Sequence, residues 1–387
     1  MNTPRINRER LAATFTTLCE ISSPSKRERD LADYLRQCFT DLGADEIFED
    51  DSSGATGSNC GNLIIRFHGN SEAEGVFFAC HMDTVEPGDN VKVVYEDGVF
   101  YSAGETVLGG DDKSGIAALL ETMMVIRENK LAHGLIEIVL TTCEEIGLLG
   151  AKNLDYNKIS APYGYALDAT GIDTVIIGAP AANKLKIEIY GVAAHAGINP
   201  EQGVSAIQAA AQGINALNLG RIDQETTANI GIVAGGVATN IVPAQVTLHG
   251  EIRSHSQKKL EQYTTTIQNS FTEAVATWNK ATVSQDPELK ATSSFEIEAE
   301  YPAMHLEEEA PVLRRIQRAA KHTEKGLSYI ITGGGSDANI MNNRGLPTAI
   351  VATGMDKVHT VDEQLKLDDL CSVTELVLAL SINTSQP

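Results

Sequence analysis

The 387-residue sequence predicts an α/β protein in which a mostly parallel, doubly wound sheet is interrupted by an inserted α+β domain. Three observations predict this fold class. Short runs rich in Val, Ile and Phe alternate with helical patterns over the first 180 residues. A period-two pattern then replaces them, and the first pattern returns after Met304. We therefore expect a discontinuous larger domain, residues 1–181 and 302–387, and an inserted domain, residues 182–301.

The elements of the larger domain follow from this alternation. Apolar residues at helical spacing predict helices, and short β-branched runs between polar turns predict buried strands. The predicted helices are 8–20, 27–42, 113–127, 309–324 and one after Asp362, and the predicted strands are 62–67, 75–80, 135–142, 328–332 and 348–353. Ligands of such a sheet bind at the carboxyl ends of its strands.

The inserted domain has a different pattern, because polar and apolar residues alternate in 184–190, 245–253 and 294–300. A period of two indicates strands with one solvated face, and hence an antiparallel sheet. Helical patterns at 203–217 and 257–277 complete a β-α-β-β-α-β order. This order is typical of a ferredoxin-like domain.

Composition argues against several classes of function. Thirty Lys and Arg against 52 Asp and Glu give a formal net charge of −22, which disfavours nucleic acids and anionic membranes as partners. No apolar run approaches the roughly 20 residues that span a bilayer, and the N-terminus lacks the apolar core of a signal peptide. The six cysteines form no CxxC pair. These features predict a cytoplasmic protein with free thiols.

Side chains typical of metal sites follow the predicted strands or, in one loop, precede a helix. They are His81, Asp83, Asp111, Asp112, Glu144, Glu145, Asp168 and His359. Each of these side chains alone is weak evidence for a metal site, since a single histidine or a pair of acids more often lies on an ordinary surface. A doubly wound sheet, however, brings the ends of its central strands together. Such an acidic cluster with two histidines would repel itself without a cation.

Two histidines with several carboxylates form the ligand set expected for Zn²⁺, with Co²⁺ or Mn²⁺ as close substitutes. The candidate side chains fall in five places along the chain, and five ligand groups exceed what one tetrahedral zinc with an open position takes. Two metals about 3.5 to 4 Å apart that share a bridging carboxylate would use them all. No HExxH motif is present, which argues against a single-zinc site on a helix.

Several segments carry a resemblance to a known family. They are ACHMDTVEPG (79–88), GGDDKSGIAALLE (109–121), TTCEEIGLLGAK (141–152), the strand end at Asp168, AAHAG (193–197) and TNIVPAQVTLHGEIRS (239–254). In order and over almost the whole chain, they resemble the dizinc exopeptidase family of peptidase T, glutamate carboxypeptidases and aminoacylases. GAPAAN, HAGINPEQGVSAI and GGGSDANIMNNRGLP look most similar to its peptidase T-like branch.

The resemblance implies that the larger domain is catalytic and binds two Zn²⁺ per subunit. His81 and Asp168 would hold one zinc, Glu145 and His359 the other, and Asp111 would bridge the two. The inserted domain would act as a lid and dimerisation domain, which implies a homodimer.

Other roles also follow from the resemblance. Glu144 would take a proton from the attacking water and return it to the leaving amine. Asp83 would accept a hydrogen bond from the second nitrogen of His81 and fix its tautomer. For Asp112 we prefer the role of an acid complementing the dipole at a helix N-terminus.

Four residues are expected to contact substrate. His195 would donate to the tetrahedral oxyanion, from a neighbouring subunit, by resemblance. Arg253 would clamp a substrate carboxylate, and Asn240 would hydrogen-bond the peptide. Gly335, the last of three consecutive glycines, would let the backbone approach the ligand, although a plain turn is an alternative.

The favoured function is a zinc exopeptidase of short peptides, an aminotripeptidase like peptidase T. A carboxypeptidase or an N-acyl-amino-acid deacylase is the alternative, and a clamp at Arg253 is compatible with each of these. A catalytically silent binding protein on the same fold is a third hypothesis. It is disfavoured because Glu144, Asp83 and all five ligand positions are present.

Overall fold

The computed structural model describes residues 5–281 and 289–382. The helices are α1 Arg8–Glu20, α2 Arg29–Asp41, α3 Ser53–Thr56, α4 Gly110–Asn129, α5 Leu149–Lys152, α6 Ala206–Asn215, α7 Gln257–Ala281, α8 Pro311–His322, α9 Asp337–Asn343 and α10 Leu367–Ser381. The strands are β1 Glu46–Glu49, β2 Leu63–Phe67, β3 Val76–His81, β4 Val93–Glu96, β5 Val99–Ser102, β6 Ile136–Thr141, β7 Gly164–Ala169, β8 Thr174–Ala179, β9 Ala181–Tyr190, β10 Gly220–Arg221, β11 Thr226–Gly235, β12 Gln245–Ser254, β13 Thr292–Tyr301, β14 Met304–His305, β15 Ser328–Ile331, β16 Thr348–Ala352, β17 Met355–Asp356 and β18 Gln364–Lys366.

The described residues form two compact units. One contains the residues up to Gly178, Met304–Thr332 and those from Ser336 onward, and the other contains Ala179–Ala303 and Gly333–Gly335. The second unit is therefore an insertion in the chain of the first. The three glycines of the GGG run belong to the second unit.

The first unit is built on a large mixed sheet of order β1-β2-β6-β3-β7-β16-β8-β14, with β15 paired to β8. Its centre is parallel, since β3 pairs in parallel with both β6 and β7, and β7 with β16. The pairs β1–β2, β2–β6 and β16–β8 are antiparallel. The predicted α/β class is confirmed, with antiparallel strands added towards both edges.

The central strands are buried because helices cover them. Every residue of β3, β6 and β16 is buried. Helix α4 packs against α1 and α10 and contacts β3 and β7. Runs that are apolar throughout need cover on both faces. The parallel pairing of β3 with β6 and β7 places the carboxyl ends of these three strands side by side.

The second unit has one antiparallel sheet of order β10-β11-β12-β9-β13. Helices α6 and α7 pack against each other and against this sheet. Leu185 and Ile187 of β9 and Leu248 of β12 lie in the same buried core as Phe271 of α7. The chain order β9-α6-β11-β12-α7-β13 is the predicted ferredoxin-like order.

Four helix starts differ from the predictions by two or three residues, those of α2, α4, α6 and α8, and the first two involve buried acids. Helix α2 begins at Arg29, because Glu28 before it is fully buried and its carboxylate binds other loops. Helix α4 begins at Gly110, but Asp111 and Asp112 have non-helical backbone angles. At α2 and α4 the difference occurs where a buried acid, Glu28 or Asp112, accepts hydrogen bonds from residues outside its own helix.

All six cysteines are free. Among the helices of the described residues, none combines the length and the apolar character needed to cross a bilayer.

Candidate metal centre

The predicted metal-site residues lie together at the carboxyl ends of the central strands of the large sheet. His81 ends β3, and Asp168 is the last residue but one of β7, the neighbouring strand. Glu144 and Glu145 follow β6, which pairs with β3 on the other side. Parallel pairing thus brings these residues together, as the strand-end argument predicts.

The carboxylate of Asp111 lies between two imidazoles. Its Oδ1 is 3.0 Å from Nε2 of His81, and its Oδ2 is 3.2 Å from Nε2 of His359. The same nitrogen of His359 is 2.9 Å from Oε1 of Glu145. On the other side, Nε2 of His81 is 3.9 Å from Oδ1 of Asp168. The structure therefore brings all five predicted ligand residues together around Asp111.

The donor atoms have the spacing of a metal site. Ligand atoms of His81, Asp111 and Glu145 all lie within 4.8 Å of one another, and so do those of His81, Asp112 and Asp168. Carboxylate oxygens with imidazole nitrogens are the donors that Zn²⁺ and similar ions take. The residues present fit a divalent cation on each side of Asp111.

Asp112 differs from its prediction as a helix N-terminal acid. Its backbone is not helical, and its side chain is fully buried. Oδ2 accepts the main-chain N–H of His81 at 3.3 Å, whereas Oδ1 has no hydrogen-bond partner among the described residues. A buried oxygen without a partner is costly, which agrees with a cation close to this acid.

Charge is crowded at the centre. Burial raises the pKa of Glu144 well above its usual range, and the charges of Asp168 and Asp337 add to this effect. Burial likewise raises the pKa of Asp168, with Asp111 contributing. Hydrogen bonds with Asp111 and Glu145 raise the pKa of His359 to about 10. Without a cation, protons must therefore offset part of this negative charge.

Glu144 is held by its backbone. Its main-chain N–H donates to Oδ1 of Asp83 at 2.9 Å, and the N–H of Glu145 donates to Oδ2 at 3.2 Å. The Glu144 residue is 9% exposed, and its carboxylate makes no hydrogen bond in the described part of the chain. Hydrogen bonds therefore fix the backbone of Glu144, whereas its carboxylate has no hydrogen-bond partner among the described residues.

Asp83 has a different contact from the one predicted. Nδ1 of His81 is 2.8 Å from the main-chain carbonyl of Asp83 and 3.6 Å from its Oδ1. The carboxylate instead accepts the two N–H groups of the Glu144–Glu145 turn and the hydroxyl of Ser25. Asp83 thus orients His81 through its backbone and the glutamate turn through its side chain.

The four residues expected to contact substrate lie in the second unit. His195 is exposed, its Nδ1 accepts the N–H of Gly197 at 3.1 Å, and its Nε2 has no hydrogen-bond partner among the described residues. Asn240 lies beside it, because the carbonyl of Asn240 accepts the N–H of Ala196 at 2.9 Å. His195 and Asn240 therefore form one exposed group.

Arg253 and Gly335 have partners within the second unit. Arg253 donates to both oxygens of Glu251, at 3.1 and 3.0 Å, and to the carbonyl of Gly333 at 3.3 Å. A Cβ atom at Gly335 would lie 2.4 Å from the ring of Tyr301. A glycine is therefore needed there for the close approach to Tyr301, and the guanidinium of Arg253 is paired with Glu251.

Three buried acids near the centre escaped the sequence analysis. Oδ2 of Asp337 accepts the hydroxyl of Thr141, Oδ1 has no partner among the described residues, and burial raises the pKa of this acid to about 6. Glu28 accepts the N–H of Cys143, next to Glu144. Glu363 binds the loop of Asp111. The GGGSD motif contains Asp337, whereas Glu28 and Glu363 carry no local signal of burial.

Comparison with known proteins shows the family of the chain. The family model described as peptidase family M20/M25/M40 matches residues 77–383. The chain belongs to this family. Its members include peptidases, so the expected resemblance is confirmed, and the chain is an M20 peptidase, a hydrolase that acts on peptide bonds.

Similar proteins cover nearly the whole M20 chain. The uncharacterized protein YqjE of Bacillus subtilis is 39% identical, over 97% of this chain and 98% of that protein. The crystal structure of aminopeptidase PepT from Bacillus cereus is 39% identical with a TM-score of 0.87, covering 97% of this chain and 98% of that one. A tripeptidase from Staphylococcus aureus is 36% identical with a TM-score of 0.91, covering 98% of both chains.

Proposed function

We propose that this M20 peptidase is a dizinc aminopeptidase that removes the N-terminal residue of short peptides, above all tripeptides. The observation that carries the metal assignment is the Asp111 carboxylate, whose two oxygens face His81 and His359 at 3.0 and 3.2 Å. A carboxylate that offers one oxygen to each side is suited to bridge two cations. The substrate class is supported by the likeness to an aminopeptidase PepT and a tripeptidase at 39% and 36% identity.

The five candidate ligands divide into two sets around Asp111. His81 and Asp168 would hold one Zn²⁺, and Glu145 and His359 the other. When bound, the metal pair supplies Lewis-acid polarisation of the scissile carbonyl and lowers the pKa of the attacking water. Co²⁺ or Mn²⁺ are acceptable substitutes for this donor set.

Glu144 is the proposed general base and acid. Its carboxylate makes no hydrogen bond among the described residues, so it is free to accept a proton from the attacking water. The same proton then passes from Glu144 to the nitrogen of the leaving amine as the C–N bond breaks. Asp83 keeps this side chain in place, because its carboxylate accepts the main-chain N–H of Glu144.

The second unit would bind the peptide. His195 has an exposed ring whose Nε2 is available to donate to the oxyanion. In our proposal it does so at the centre of a neighbouring subunit, within a homodimer formed by the inserted domain. Asn240, beside His195, would hydrogen-bond the peptide backbone. Arg253 would clamp the substrate carboxylate once it leaves Glu251.

We also place the protein in the cytoplasm, because its six cysteines are free, as expected in a reducing compartment.

A carboxypeptidase or deacylase is the second candidate. The chain is 28% identical to carboxypeptidase G2 of Pseudomonas over 200 residues, which is 50% of this chain and 47% of that protein. The metal centre would serve an aminopeptidase, a carboxypeptidase or a deacylase, since all three enzymes cleave an amide bond by the same steps. The difference lies in which end of the substrate is free.

A panel of blocked substrates separates these candidates. The purified zinc-loaded protein is assayed with a tripeptide, its N-acetylated form, its C-terminal amide, the matching dipeptide and an N-acyl amino acid. We expect turnover of the tripeptide and loss of turnover on N-acetylation. The Glu144→Gln variant, purified in the same way, controls for contaminating peptidases. Faster cleavage of the N-acylated substrates than of the free tripeptide would contradict the aminopeptidase assignment and favour the second candidate.

A further inference from the structure

The carboxylate of Glu363 lies against the loop that carries Asp111. Its Oε2 accepts the main-chain N–H of Gly109 at 2.8 Å, and its Oε1 accepts that of Asp111 at 3.0 Å. Glu363 is only 1% exposed. Both oxygens are therefore used on the two N–H groups that flank Gly110.

Gly110 allows this approach. A Cβ atom at that position would lie 3.0 Å from Oε1 of Glu363, tighter than nine in ten real Cβ contacts. The glycine therefore lets the loop lie directly on the carboxylate. A displacement of Glu363 would break its hydrogen bond with the main-chain N–H of Asp111. The Asp111 side chain would then no longer be held in its present orientation.

Glu363 also belongs to the loop of His359. The main-chain N–H of Glu363 donates to the carbonyl of Thr360 at 3.2 Å, which closes the turn after His359. Nε2 of His359 in turn lies 3.2 Å from Oδ2 of Asp111. One short segment thus contacts Asp111 twice, through Glu363 at the backbone and through His359 at the carboxylate.

No salt bridge offsets this buried acid among the described residues. The nearby ammonium of Lys113 donates instead to the carbonyl of Ile21 at 2.8 Å. Burying a carboxylate without an ion pair is costly. Glu137, another fully buried glutamate, also accepts two main-chain N–H groups but is paired with Arg66 at 2.9 Å.

We propose that Glu363 is a positioning residue that fixes the Asp111 carboxylate between the two metal ions. This inference rests on the proposed function, in which Asp111 is the bridging ligand. Glu363 is not one of the five proposed ligands, and it would act through the backbone of the Asp111 loop.

The test compares Glu363→Gln with Glu137→Gln, a matched change in a buried glutamate outside the centre. Zinc affinity is measured for the wild type and both variants by competition with a chromophoric chelator, and the unfolding midpoint is measured without metal. In the glutamine an NH2 group replaces one of the two carboxylate oxygens, and because it can only donate, one of the two N–H groups loses its acceptor. We expect E363Q to weaken the binding of at least one zinc by about 10- to 100-fold. The control E137Q should bind zinc as the wild type does, even if its unfolding midpoint falls.

Gly110→Ala gives an independent variant, because it displaces the same carboxylate while keeping Glu363. It should also weaken zinc binding, and it replaces E363Q if that variant does not fold. Zinc affinities of the folded variants within twofold of wild type would overturn the positioning role while leaving the proposed function intact. A wild-type protein that binds no zinc would overturn the proposed function, and the role of Glu363 with it.

Discussion

The main-chain N–H of Glu144 donates to Oδ1 of Asp83 at 2.9 Å. Through this bond, the residue that follows His81 by two positions fixes the turn that carries the proposed base. The next N–H, of Glu145, binds the other oxygen of the same carboxylate. One buried acid therefore sets the relative positions of a proposed ligand and the proposed proton carrier.

Replacing Glu144 should separate chemistry from metal binding. In Glu144→Gln, turnover of the best tripeptide should fall by at least about 10²-fold, because no carboxylate is left to move the proton. Zinc content, measured by atomic absorption, should stay at two per chain. Glu145→Gln is the comparison, since it should lose zinc together with activity. A Glu144→Gln enzyme with more than a tenth of wild-type turnover would exclude this role.

Removing the metal should affect both activity and stability. Dialysis against a chelator should abolish turnover, and added zinc or cobalt should restore it. Zinc that binds only the folded chain should stabilise it by about 2.7 kcal/mol when its free concentration is 100 times the dissociation constant. Differential scanning calorimetry with and without zinc measures this shift. Full activity in the chelated protein would argue against a metal-dependent reaction.

Zinc binding should release protons. In the metal-free protein, hydrogen bonds with Asp111 and Glu145 raise the pKa of His359 to about 10, so its ring is protonated at pH 7. A zinc ion can bind this nitrogen only after the proton leaves, and raising the pH removes that competition. Apparent affinity should therefore rise with pH between 6 and 8, by about tenfold per unit for each proton displaced.

Calorimetric titration in buffers of different ionisation enthalpy measures this release directly. His133, a buried histidine whose Nδ1 lies 2.7 Å from the carbonyl of Gly134, provides a control. His133→Gln should release as many protons as the wild type. An affinity that does not change with pH would contradict protonated histidines at the metal-free centre.

Arg253 should contribute to substrate binding and not to metal binding. Arg253→Ala should raise KM for tripeptides with a free C-terminus and leave KM for their amides unchanged. Glu251→Gln, which removes the present partner of Arg253, should not raise KM for the free acids. Steady-state kinetics on matched acid and amide substrates gives the comparison. An equal rise in KM for the acid and the amide substrates would contradict the proposal that Arg253 binds the substrate carboxylate.

His195→Ala should lower kcat far more than zinc content. A ring that donates to the oxyanion acts mainly in the transition state, where removal of one donor costs about 10²- to 10³-fold. Kinetics and metal analysis on the same preparation test this. A parallel loss of zinc and turnover would indicate a structural role for His195.

The metal-site residues could be predicted because they depend on local pattern and on sheet geometry. His81, Glu145 and Asp168 follow apolar runs, and adjacent parallel strands must place their ends together. His359 was also predicted because it follows a strand-like run, and Asp111 because it lies in a loop before a helix, whereas the resemblance supplied the role of Asp111 as the bridge. The alternation of polar and apolar residues sufficed for the fold of the second unit.

The remaining contacts depend on tertiary structure, which no local pattern encodes. Asp83 stands beside His81 in sequence, yet its carboxylate binds a turn about 60 residues away. Glu28 and Glu363 lie in polar loops, and only the folded chain buries them against Cys143 and Asp111. Gly335 was predicted to let the backbone approach a ligand, and no local pattern shows that a Cβ atom there would meet the ring of Tyr301.

Anomalous X-ray diffraction from zinc-loaded crystals tests the central claim most directly. The account predicts two zinc peaks per chain, one beside His81 and Asp168 and the other beside Glu145 and His359, with Asp111 contacting both. A single peak away from Asp111, or zinc that contacts neither histidine, would contradict it.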